Sequence, residues 1–181
     1  HALSRERWEH IKEMNLLPHL KSVLDSGKVR RIGFSFHDDY EVFEEILNAY
    51  DWDFCQIQFN YMDTEIQAGL RGYELAKAKN IPMTIMETVK GGMLANVPEE
   101  IQAEFRRVHP DWSDASWALR WVGGHDNVQT VLSGMSTMEQ VIDNVKTFSE
   151  IEPLNAEEQA TIEQARQLFQ ARIQVPCTGC R

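Results

Sequence analysis

Three places in this 181-residue sequence bring together side chains able to do chemistry. The run RIGFSFHDD ends on Ser35, His37 and Asp38, which supply a hydroxyl, an imidazole and a carboxylate. The run DFCQIQFNY alternates, with Cys55, Ile57 and Phe59 on one side of a strand and Gln56, Gln58 and Asn60 on the other. A buried amide row costs about 1–3 kcal/mol for each group left unpaired. Its partners are either a polar ligand such as a carboxamide, for which Gln56 is the first candidate, or neighbouring side chains and water within the fold. The third place is VLSGMSTMEQVIDNV, where Gly134 follows an apolar run and Ser136 and Thr137 stand at the start of a helix. Thr137 and Gln140 form a T-x-x-Q capping box. Free backbone N–H groups and the helix dipole at such a start suit an anion, a phosphate above all, although a plain N-cap needs Thr137 alone.

Two features are less specific. Lys90 precedes Gly91 and Gly92, which lets a cation and a pliable backbone approach an anion, or leaves an ordinary solvated lysine in a loop. The last residues, VPCTGCR, carry Cys177 and Cys180 as C-x-x-C, which fits a zinc half-site, a thiol–disulfide pair or the start of a cluster motif. Cys55 reads as a packed core thiol. His10, His19, His109 and His125 stand at no metal spacing and read as solvated or capping. Trp117 and Trp121, at i and i+4, read as helix packing.

The elements that position these groups follow from periodicity. A helix opens after Ser4 with Trp8, Ile11, Leu16, Leu20, Val23 and Leu24 at helical spacing; Pro18 splits it and Gly27 closes it. Four strand-like runs follow, VRRIGFSFH, DFCQIQFNY, IPMTIMET and VQTVL, each succeeded by a helical pattern. A capping box of Asn155 and Glu158 opens a last helix with Ile162, Ala165, Phe169 and Ile173 on one face. Alternating strand and helix predicts an α/β fold of parallel strands joined by right-handed crossovers. No G-x-G-x-x-G opens a helix here, which weighs against a dinucleotide-binding doubly wound sheet. A (β/α)8 TIM barrel takes about 250 residues. The expectation is therefore its second half, about four parallel strands with helices, plus a C-terminal helix.

Composition bounds the partners. With 43% hydrophobic and 25% charged residues the chain buries a core. A net charge of −10 argues against nucleic acid, which needs clustered Lys and Arg. No apolar run approaches the roughly 20 residues of a membrane span, there is no signal peptide, and three cysteines make no disulfide framework. Cytoplasmic localisation is the default expectation. Opening on HALSRERWEH without Met and closing on CTGCR, the sequence reads as cut at both ends.

RRIGFSFH, FCQIQFNY, METVKGGML and LSGMSTMEQVIDNV, in this order, resemble the second half of an aldo-keto reductase. They are most similar to the bacterial branch with a C-terminal iron–sulfur (ferredoxin-like) extension. The resemblance implies a partial barrel over 1–153, a C-terminal helix over 154–174 and the start of a truncated iron–sulfur motif over 175–181. It implies a nicotinamide cofactor, NADP or NAD, and a small aldehyde or ketone substrate. By matched position, Ser35 and Gln56 hold the nicotinamide carboxamide, Met86 faces the nicotinamide with Glu87 after it, and Lys90 lies near the pyrophosphate. Gly134, Met135 and Ser136 surround the adenosine phosphate, and Gln140 and Asn144 lie on the adenine side. His1 matches the histidine that orients the carbonyl in a Tyr–Lys–Asp–His set. The other three members fall upstream, so the chain alone is expected to be inactive. Phe36 and Gln140 depart from the asparagine and arginine of many relatives, which leaves NADP versus NAD open.

Cys177 and Cys180 would be the first two ligands of C-x-x-C-x-x-C-x-x-x-C-P, as metal ligands in the intact parent only, because two thiolates close no four-cysteine cluster. Two open barrel edges predict self-association or pairing with the missing half. Two other readings remain: a non-catalytic barrel-derived binding or regulatory subunit, and a cysteine-centred metal or redox module.

Overall fold

The structure, a computed structural model, describes residues 1–172. Four parallel strands lie in the order β1 (Gly33–Ser35), β2 (Phe54–Gln58), β3 (Met83–Met86), β4 (Val128–Val131). Ahead of them stand α1 (Arg5–Glu13) and α2 (Leu17–Asp25); α3 (Tyr40–Ala49) and α4 (Gly69–Ala78) cross from β1 to β2 and from β2 to β3. Between β3 and β4 come a 3-10 turn (Lys90–Ala95), α5 (Glu99–Val108) and α6 (Asp114–Gly123). α7 (Met138–Ser149) and α8 (Ala156–Arg172) complete the described chain. The expected alternation is present, and each helical crossover returns the chain for a parallel strand.

The first helical stretch is two helices, but the break precedes Pro18. Asn15 turns left-handed (φ 50°), and Pro18 stands in the first turn of α2, where its missing N–H costs nothing. Ser4 occupies the N-cap position of α1 without a side-chain cap bond. The Arg5 N–H donates instead to Asp38 Oδ2 at 2.6 Å, so the acid after β1 caps a helix far from it in sequence. Leu3 forms a parallel bridge with Phe36: its N–H donates to Ser35 O (2.7 Å), and His37 N–H donates to Leu3 O (2.9 Å).

Alternation along β2 divides its two faces. Cys55 and Ile57 are fully buried among Phe34, Phe43, Ile46 and Ile85 in the core between sheet and helices, while Gln56 and Gln58 are half-buried on the other face. Gly33 accepts the close approach of β2: a Cβ there would lie 2.4 Å from Phe54 O. A second core joins α5, α6 and α8, with Phe105 stacked on Trp117 at 4.6 Å and Ile162, Ala165 and Phe169 of α8 buried. Ile173, assigned to the same face, lies outside the described residues. Two histidines differ from expectation. His109 Nε2 lies 2.7 Å from the Glu158 carboxylate and its ring stacks on Trp112, and His125 packs among Tyr73, Trp121 and Phe59, which lowers its basicity through burial. Aromatic neighbours hold both rings: Trp112 and Trp117 around His109, and Phe59, Tyr73 and Trp121 around His125.

Candidate functional site

The carboxyl ends of β1, β2 and β3 gather the polar side chains of the sheet's inner face. Register sets Ser35 opposite Gln56, and Gln56 opposite Thr84, so a serine and an amide from separate strands stand side by side. Ser35 is buried, and its hydroxyl accepts from the Ala2 N–H (2.6 Å) and lies 2.9 Å from His1 Nδ1. His1, Ser35 and Gln56 therefore form one neighbourhood.

The amide row divides. Gln58 Nε2 and Asn60 Nδ2 both donate to Asp63 Oδ2 (2.9 and 3.1 Å), and Asn60 Nδ2 also donates to Glu87 O. Gln56 donates only to the sulfur of Met86, at 3.3 Å, a weak acceptor. Two of the three amides are thus satisfied internally, and Gln56 keeps capacity for a ligand. Asp63, almost fully buried, is the centre that sequence reading missed. It also accepts from Lys90 Nζ at 2.6 Å, so Lys90 is neutralised within the rim of the site rather than standing free beside an anion. Its one local signal was the spacing of Asn60 and Asp63: the Asn60 side chain accepts from the Asp63 N–H (3.0 Å) in a tight turn.

The segment after β3 is bent hard. Glu87 (φ 57°), Lys90 (φ 49°), Gly91 (φ 61°) and Gly92 (φ 93°) are all left-handed, and for the two non-glycine residues that conformation costs free energy held by the surroundings. Glu87 accepts from the Gly91 N–H at 2.8 Å, which closes the turn. Beside it opens a cleft of about 380 Å³, lined from the β3 side by Glu87, Thr88 and Gly91 and from the β4 side by Gly134, Met135, Gln140 and Asn144. Thr88, a second residue unsuspected from sequence, is buried and its Oγ1 has no partner.

At the start of α7 the capping box is formed. Thr137 accepts from the Gln140 N–H, and Gln140 Oε1 accepts from the N–H groups of Ser136 (2.8 Å) and Thr137 (3.3 Å). The amide oxygen of Gln140 thereby occupies donors that an anion would use. Glu139 sits in the same turn; bonds from its own backbone N–H and from Thr137 hold its carboxyl below the usual range. Asn144 donates to Ser133 Oγ (2.9 Å), tying the loop after β4 to its helix.

Of the residues expected at the site, Glu87, Gly134, Met135, Gln140 and Asn144 meet in one cleft, and His1, Ser35, Gln56 and Met86 meet at the strand ends beside it. Ser136 donates to Gln140 Oε1 within the cap through both its N–H and its hydroxyl, and Lys90 faces Asp63. Cys177 and Cys180 lie outside the described residues. Among the described residues no three metal-ligating side chains cluster, and burial pushes the Cys55 thiol up to about 12, as suits a packed core thiol. No described helix is long and apolar enough to cross a membrane.

Comparison with known proteins bears on fold and family. The model of the aldo/keto reductase family matches residues 3–167. Aldo-keto reductase AKR11C1 from Bacillus halodurans, in its holo form, is similar with a TM-score of 0.67 at 22% identity, covering 82% of this chain and 54% of its own. An aldo/keto reductase from Klebsiella pneumoniae in complex with NADP and acetate gives 0.64 at 18%, covering 82% and 52%. A putative 2,5-diketo-D-gluconic acid reductase B gives 0.62 at 24%, covering 84% and 50%. The four parallel strands and their helices thus match part of such (β/α)8 barrels, and the chain spans about half the length of these structures. No curated protein gives a match.

Proposed function

The chain belongs to the aldo/keto reductase family, and on that premise we propose that it is the C-terminal, cofactor-holding half of a cytoplasmic nicotinamide-dependent carbonyl reductase. The observation that carries the reading is the meeting of Glu87, Gly134, Met135, Gln140 and Asn144, from two strand ends far apart in sequence, in a single cleft. A cleft of this volume lies within the range of small-molecule sites. Gln56, with only a thioether partner, and Thr88, with none, are the unsatisfied polar groups that a bound dinucleotide would satisfy.

A bound dihydronicotinamide would supply a hydride to the carbonyl carbon of a small aldehyde or ketone. Ser35 and Gln56, side by side across two strands, would hold the carboxamide and so fix which ring face meets the substrate. Met86, which accepts from Gln56 at 3.3 Å, would pack beside the ring. His1, held by Ser35, orients the carbonyl oxygen, and the proton reaching that oxygen comes from a general acid supplied by elements other than those of residues 1–181. By itself the chain therefore binds cofactor without turnover, and it self-associates or pairs with the complementary half of the barrel. The iron–sulfur site that Cys177 and Cys180 would begin belongs to the same proposal and forms only in the longer parent.

The test is titration of the chain with NADH and NADPH, followed by quenching of tryptophan emission. Saturable quenching that weakens in Gln56→Ala supports the reading; no saturation with either cofactor sinks it.

A further inference from the structure

We propose that a second cavity, between α4, the end of α6 and α8, binds a small organic cation: a primary or secondary ammonium carried on an apolar body. The cavity holds about 540 Å³, within the range of small-molecule sites, and shares no lining residue with the cleft after β3 and β4. Tyr73, Leu154 and Ile162 are buried in its wall, and Leu70 stands 38% exposed beside them.

The polar groups lining this cavity divide into those already paired and those left over. Asp126 accepts from the Tyr73 hydroxyl (2.7 Å) and from Lys77 Nζ (3.0 Å), and Glu163 accepts from Arg166 Nη1 (2.8 Å). Both cations at the cavity thus have an acid already. What remains is a carboxylate and a lone pair. Glu74, exposed on α4, makes no ion pair or side-chain hydrogen bond among the described residues, and its negative charge acts on the His125 ring. His125 Nδ1 lies 2.6 Å from Trp121 O, and a carbonyl only accepts, so the ring proton sits on Nδ1. Burial lowers the basicity of the ring, against the pull of the Trp121 and Val122 carbonyls, so at neutral pH Nε2 keeps a lone pair. That nitrogen has no partner among the described residues.

An ammonium group matches both. It donates to Glu74 and to His125 Nε2, and hydrogen bonds from a charged donor are the stronger kind. Its apolar body covers Leu70 and the Trp121 ring. A carboxylate ligand meets no free cation here and faces the unpaired Glu74. A quaternary ammonium keeps the charge but has no N–H to donate.

Equilibrium dialysis of the 181-residue chain at neutral pH against phenethylamine, trimethyl(phenethyl)ammonium and phenylpropionate tests this. Phenethylamine is expected to bind saturably and about tenfold more tightly than either of the others. Glu74→Gln, at an exposed position, removes the charge alone. His125→Phe keeps a ring among Tyr73, Trp121 and Phe59 and removes the acceptor. Each should weaken phenethylamine about three- to tenfold, with circular dichroism confirming that the variant remains folded. No saturable binding of phenethylamine, equal binding of the three probes, or an affinity unchanged in either folded variant overturns the proposal.

Discussion

β2 and β4 belong to one parallel sheet and meet opposite surroundings. β2 is paired on both sides and covered by helices, with Cys55 and Ile57 fully buried. β4 is paired only with β3, none of Val128–Val131 is fully buried, and α7 after it turns Met138 (66% exposed), Ile142 (62%), Val145 (64%) and Phe148 (38%) to solvent. Spaced at i, i+4, i+7 and i+10, these four make an apolar stripe of the kind that ordinarily faces a core. Parallel strands are normally covered on both faces. The contrast teaches that the β4–α7 side has the composition of an interior and the exposure of a surface, which supports a partner there.

The largest effect should come from breaking the covered side. Phe43→Ala, at a fully buried ring packed on Phe34 and Phe36, should cost about 3–5 kcal/mol in urea denaturation. Ile142→Ala should change stability by less than about 0.5 kcal/mol in a dilute monomer. Comparable losses would erase the contrast.

The open side is tested next by association. If its stripe is an interface, Ile142→Glu combined with Val145→Glu removes two side chains worth about 1.5–3 kcal/mol each when buried, and light scattering should show the wild-type assembly dissociating. A wild-type chain that is already monomeric when dilute argues against self-association.

Asp63→Ala probes the rim shared by β2 and β3. Gln58, Asn60 and Lys90 lose their common acceptor, for an expected loss of about 1–3 kcal/mol, with weaker cofactor quenching because Gln58 and Asn60 no longer fix the strand end.

The smallest effect is electrostatic. Glu45, ordinarily near 4.5, is held at about 2 by hydrogen bonds from Lys12, then Arg5 and Trp8. Its folded value lies below its unfolded one, so its stabilisation is full above about pH 4.5 and disappears as the pH falls toward about 2. The pair is solvent-screened, so the amplitude is modest and salt weakens it. Glu45→Gln should flatten thermal stability across that window, whereas an unchanged acid limb would assign it to other carboxylates.

Local pattern was legible because its causes are local. The capping boxes Thr137–Gln140 and Asn155–Glu158 formed as their i, i+3 spacing predicts, and the two-residue alternation of β2 divided its faces correctly. Asp38 as the cap of α1, and Asp63 as the acceptor for Lys90, were not legible. Each joins residues 27 or more apart, and only the folded chain makes them neighbours.

By itself the sequence determined the alternation of strands and helices, the faces of each, and the residue types at the strand ends, since these follow from side-chain period and backbone preference. Tertiary structure alone decided which polar groups are spent and which remain available. Gln58, Asn60 and Lys90 are consumed by one buried carboxylate, while Gln56 and Thr88 keep unmet hydrogen-bonding capacity. The reason is physical: a hydrogen bond depends on distances of about 3 Å, and these arise between strand ends that the chain brings together only by folding.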